Sequence, residues 1–168
     1  MSNNRPKIIE LQPFDALFEQ ASPFIGFGQV ISEFSDVSKT FSNVVIDSQR
    51  RLQDGFQIRC GLPNEIPNDL DRIVRSMWKN GWDPKTGNVN LFVRDFGCAL
   101  SKAILESLGG RPVFRSIGEL NHFSIFWEKE KIEAFPFHNV LKCLHNREGE
   151  SMTVFRDGIA RKLREIRM

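Results

Sequence analysis

The sequence predicts an α+β fold: a helical N-terminal half, then a small antiparallel meander of three or four strands flanked by helices. Three observations carry that expectation. Apolar residues recur at helical spacing through the first hundred or so positions. Past Gly109-Gly110 the period shortens to two, the signature of strands. From Pro136 onward it lengthens again. Helices and strands are therefore segregated along the chain, which argues against an alternating βαβ arrangement. The 168 residues suit a single domain spanning 1–168. Within it, 1–58 reads as a helical part and 68–168 as an α+β core.

Each element has its own justification. Residues 15–20 form a short amphipathic turn, and residues 7–11 are a candidate extra strand. Ser22-Pro23 is a helix start, with Phe24, Phe27, Val30, Ile31 and Phe34 following at helical spacing. Asp36 is expected to cap a stronger helix with Val37, Phe41, Val44, Val45, Ser48 and Leu52 as its stripe, ended by Gly55. Two prolines and a glycine make 59–67 a linker. Asn68 should cap a helix lined by Leu70, Ile73, Val74, Met77 and Trp78, stopped at Gly81 and followed by a turn over 82–87.

The longest helix is expected over 90–108, where Phe92, Phe96, Ala99, Leu100, Ala103, Ile104 and Leu108 repeat at three and four. Strands follow at 111–117, 122–128 and 131–135. The second alternates, with Phe123, Ile125 and Trp127 on one face and His122, Ser124, Phe126 and Glu128 on the other. Pro136 opens a helix carrying Phe137, Val140, Leu141 and Leu144. Ser151 caps the last one, whose stripe is Met152, Phe155, Ile159, Leu163 and Ile166.

From residue 90 onward the chain carries Phe96-Gly97-Cys98-Ala99-Leu100 on a helix, the helix end Leu108-Gly109, a strand pair, and Pro136-Phe137-His138-Asn139-Val140-Leu141-Lys142-Cys143-Leu144. With these motifs it resembles a widespread family of small uncharacterised bacterial α+β domains. These are packing motifs. The resemblance implies the arrangement of elements and a bacterial cytosolic setting, and it brings no catalytic residue.

Composition narrows function further. Lys and Arg total 23 against 21 Asp and Glu, a balance that argues against a dedicated nucleic-acid binder. The small excess lies near the end, in Arg156, Arg161, Lys162, Arg164 and Arg167. These could touch phosphates, but they alternate with Asp157 and Glu165, and cations suit a helix C-terminus, so a solvated face explains them. Cys60, Cys98 and Cys143 are odd in number and widely spaced, unlike a disulfide framework. With no apolar leader and no run long enough for a bilayer, the expectation is a cytoplasmic protein without a membrane partner.

Candidate chemistry is sparse. Cys98 could be a nucleophile with His122 or His138 as base, but its mid-helix place beside Gly97 and Ala99 suits packing. His122, His138 and His145 lack metal-ligand spacing, so no metal is expected, and no cofactor motif occurs. Asp95-Phe96-Gly97 spells a kinase-like triplet without the rest of the kinase signature. The chain has 15 Phe and 3 Trp but no Tyr. Most Phe fall on core stripes, where a Tyr hydroxyl would need a buried partner. Phe114, Phe126, Trp127, Trp82 and Arg115 are the candidates for an exposed aromatic binding face. The resulting expectation is a non-enzymatic protein-binding module, concretely an immunity protein that neutralises a toxin by occlusion. The alternatives are a ligand-binding or enzymatic pocket using Cys98, His122 and His138, and a homo-oligomer, in its simplest form a homodimer.

Overall fold

The computed structural model describes residues 35–36, 38–57, 62–85, 89–117, 120–146 and 149–168, with only the backbone described at 35–36, 38–44, 90, 114–117 and 120–122. The stretches at 7–11, 15–20 and 22–34, and Cys60, lie outside the described residues. The architecture is α+β. In chain order the elements are β1 (Ser35–Asp36), α1 (Ser38–Phe56), α2 (Ile66–Lys79), α3 (Val89–Leu108), β2 (Arg111–Ile117), β3 (Leu120–Trp127), β4 (Ile132–Ala134), α4 (Pro136–His145) and α5 (Met152–Arg167). The four strands form one antiparallel sheet in sequence order, with the two-residue β1 at its edge.

Helix α3 is the hub and packs against all four other helices. Its residues 96–101 are buried without interruption, so its middle is covered on every side and not along a single stripe. Val93, Phe96, Ala99, Leu100, Ala103 and Ile104 meet Leu52 of α1, Leu70 and Val74 of α2, Phe137, Val140 and Leu144 of α4, and Met152 and Leu163 of α5 in one core cluster. The crossing with α4 is close. A Cβ on Gly97 would lie only 2.8 Å from Phe137 Cγ, nearer still to two further ring atoms. Phe137 in turn meets Phe123 of β3 edge-on, centroids 5.1 Å apart. That contact ties the sheet to the helices through α4.

Local starts and stops follow backbone chemistry. Gly109 and Gly110 take φ of +75° and +87°, which end α3 and turn the chain into β2. The Trp127 indole donates to the Leu108 carbonyl at 3.1 Å, satisfying one of the helix-end acceptors. Helix α2 begins at Ile66, two residues before the expected cap at Asn68. Pro67 sits in its first turn, where a preset φ and a missing N–H cost nothing. Helix α1 differs at both ends. Asp36 pairs with Val113 in the sheet, and the helix begins two residues later, at Ser38. The helix also runs through Gly55, because Phe56 is held against Phe92 and Phe96 at centroid distances of 6.0 and 5.6 Å. Strand β3 starts earlier than expected, at Leu120, paired with Ile117.

One long-range cap is invisible to local patterning. Asp71, buried on α2, receives the Ser151 hydroxyl at 2.7 Å and the backbone N–H groups of Met152 and Thr153 at 2.8 and 3.0 Å. Ser151 also accepts from Val154 N–H at 3.2 Å, as its place predicts. A carboxylate across the protein thus closes the positive end of α5.

Two substitutions test this packing. Asp71→Ala should cost about 2–3 kcal/mol in urea unfolding, since it strands buried N–H groups at the start of α5. Gly97→Ala should cost about 1–3 kcal/mol by overpacking against Phe137. Combining it with Phe137→Leu should give a loss smaller than the two single losses together, because both act at one contact.

Candidate functional site

The structure separates the aromatic candidates. Trp127 is buried, at 3% exposure, and its ring abuts Gly110. It is a core residue, so it has no surface to offer a partner. Trp82 is half-buried and packs edge-on against Phe92, centroids 5.5 Å apart, beneath the same aromatic cluster as Phe56 and Phe96. Phe126 is half-buried on the opposite face of β3, beside Arg111, whose guanidinium carbon stands 5.8 Å from the ring centroid. Ser124 on that same face is fully buried and donates to Glu133 at 2.8 Å. That face is therefore covered at Ser124 and only partly open at Phe126. Phe114 and Arg115 pair in the ladder with Phe123 and His122, and their side chains lie outside the described ones, as does that of His122.

Cys98 and His138 are not turned to a common task. Cys98 is fully buried on the α1 side of α3, and burial pushes its thiol up to about 12. A thiol so protonated is a poor nucleophile at neutral pH. Around it lies a polar cluster. Asp95 accepts from Arg51 at 2.8 Å, from Arg94 at 3.0 Å and from the Ser48 hydroxyl at 3.1 Å. The cluster joins α1 to α3 and gives the Asp95-Phe96-Gly97 triplet a wholly structural meaning. Asp95 anchors α1, Phe96 fills the core and Gly97 admits Phe137. His138 faces the other side of α4, and its pKa is lowered by burial and by Lys142. Among the described residues, no group of three His, Cys, Asp or Glu is gathered as metal ligands would be.

Two concave surfaces flank α5. On one side a cleft of about 510 Å³ runs between β4, α4 and α5. Its floor includes Ile132, Phe155 and Ile159, and its rim His138, Lys142, Arg161 and Lys162. Glu133 and Glu150 also line it. On the other side a cleft of about 520 Å³ lies between α5 and the end of α3, lined by Arg156, Arg164, Arg167, Asp157 and Ser107. Val154 stands beside the first cleft at 69% exposure. All five cations of the C-terminal excess thus border a cleft, a grouping that linear spacing hid behind the solvated-face reading. Arg167 donates to Glu130 at 2.7 Å and holds that carboxyl below its ordinary range.

Fold and site together define an α+β protein with two open clefts on either side of a basic C-terminal helix. No family model, no curated protein and no solved structure matches the chain. No helix among the described residues is long and apolar enough to cross a membrane.

The two buried thiols give a pH signature. Cys143, like Cys98, is pushed up to about 12 by burial. The fold favours the neutral thiol, so this stability is complete below the ordinary value of 9 and is lost as pH rises toward 12. The loss should reach about 1.4 kcal/mol per pH unit for each thiol. With no Tyr in the chain, no phenol titrates in that window. Urea unfolding between pH 8 and 11 should show the decline, and Cys98→Ala with Cys143→Ala should flatten it.

Proposed function

We propose that the protein acts by binding another protein, and that its concrete role is that of a bacterial cytosolic immunity protein occluding a toxin. The observation that carries this reading is the exposed face of α5, where Val154 projects beside an open cleft with the half-buried Phe155 behind it. An exposed apolar side chain on a helix whose same face carries Arg161 and Lys162 has the make-up of an interface centre and its rim. The burial of Cys98 also removes the best candidate nucleophile from solvent. Occlusion needs only a preformed surface, and α5 is held rigidly at its start by Asp71 and Ser151.

A second reading rests on the 510 Å³ cleft, a volume within the range of small-ligand sites, with His138 on its wall. A metabolite panel in a thermal-shift assay would favour it if one compound raised Tm in the natural protein and not in His138→Ala.

Affinity capture with the tagged full chain from its native host should return one stoichiometric protein at micromolar concentration. Expressed alone, that protein should arrest growth, and co-expression of this chain should relieve the arrest. Capture of no partner would overturn the binding reading. A partner without toxicity would leave a binding module and remove the immunity role.

A further inference from the structure

We propose that the cleft beside α5 docks an acidic segment of the partner bearing a bulky apolar side chain, seated in a notch at Gly158. The inference rests on the protein-binding reading and names the chemistry of its partner. Two independent observations support it.

The first is charge. Among the described residues Arg161 and Lys162, which line this cleft, form no ion pair, and both are exposed. Arg156 and Arg167 are engaged, the former by Asp157 at 3.0 Å and Asn64 at 3.3 Å, the latter by Glu130. Lys142 adds a further cation across the cleft. Of the acids there, Glu133 accepts the Ser124 hydroxyl, and Glu150 stands near His138 and Lys142. The surplus on the rim is positive and complements an acidic segment.

The second is Gly158. It lies in the interior of α5, where glycine weakens a helix relative to alanine. Among the described residues nothing lies within 4 Å of the position its Cβ would take, and its φ is not in the left-handed region. Packing and backbone geometry therefore give no reason for glycine here, in contrast to Gly97 under Phe137. Residues 154, 158, 161 and 162 share one helical face, so Gly158 opens a gap between Val154 and the two cations. A partner's apolar side chain can reach the α5 backbone through that gap while acidic neighbours meet Arg161 and Lys162.

A phage library of short random peptides, selected on the full chain, tests this. The enriched peptides should carry net negative charge and a bulky apolar residue. Their affinity by fluorescence anisotropy should fall about tenfold or more with Arg161→Glu/Lys162→Glu, and likewise with Gly158→Ala. Gly158→Ala should nonetheless raise Tm by a few degrees, a split that a merely destabilised variant does not show. An empty selection, enriched peptides without acidic excess, or affinity undiminished in both variants overturns the proposal. So does tighter binding of a DNA duplex or phosphatidylserine vesicles, or a dimer in light scattering that these variants dissolve. If a captured partner binds all variants equally, the docking site is wrong and the protein-binding reading stands. If no partner is captured, both fall.

Discussion

The structure depends on α3 being buried on every side. A helix on the surface solves its packing with one apolar stripe, but a central helix must be approached from all directions at once. That requirement explains the run Gly97-Cys98-Ala99, where small side chains let α1 and α4 come near from opposite flanks. It also explains why the polar Asp95 is tolerated there. Its carboxylate is surrounded by Arg51, Arg94 and Ser48, so partial burial does not leave it unpaired. The remaining elements are positioned by what α3 permits. Phe137 enters over Gly97, Phe123 packs on Phe137, and β3 brings the rest of the sheet with it.

The same logic accounts for the aromatic surplus. Phe56, Phe92, Phe96 and Trp82 meet where the end of α1, the start of α3 and the turn after α2 converge. Tilted and edge-to-face rings fill such a three-way junction without needing hydrogen-bond partners, which tyrosines would. Trp127 is the instructive exception. Its indole N–H is satisfied because it lies under the last turn of α3, where a carbonyl would otherwise be left unpaired.

Much of this was legible from residue spacing. The period change after Gly109-Gly110, the start of α4 at Pro136 and the Ser151 cap are local signals with local causes, and they fall where spacing placed them. Failures occurred where the deciding partner is distant in sequence. Gly55 reads as a stop until Phe56 is seen anchored on α3. Asp71 reads as one more polar residue on α2, because nothing near it announces that it closes a helix eighty residues later. Trp127 and Phe126 alternate as expected, but alternation says which faces differ and not which is covered. The clefts beside α5 were hidden for a related reason. Lys142 and Arg161 come to border one cleft only after α4 and α5 have packed.

Helix α5 is where the requirements of folding and the composition of the surface part company. Its inner face does ordinary structural service, with Met152, Ile159 and Leu163 in the core and Asp71 fixing its start. Its outer face carries features that stability alone does not select. An exposed Val154 contributes little to the core, and a mid-helix glycine without a contact weakens the helix. Cations without partners gain nothing from the fold beyond the helix dipole, which acts only over the last turn. Features that cost stability and have no compensating contact among the described residues point to a use beyond folding. Rigidity makes that use economical. A surface fixed from within by α3 and by a buried carboxylate loses little further entropy when a partner settles on it.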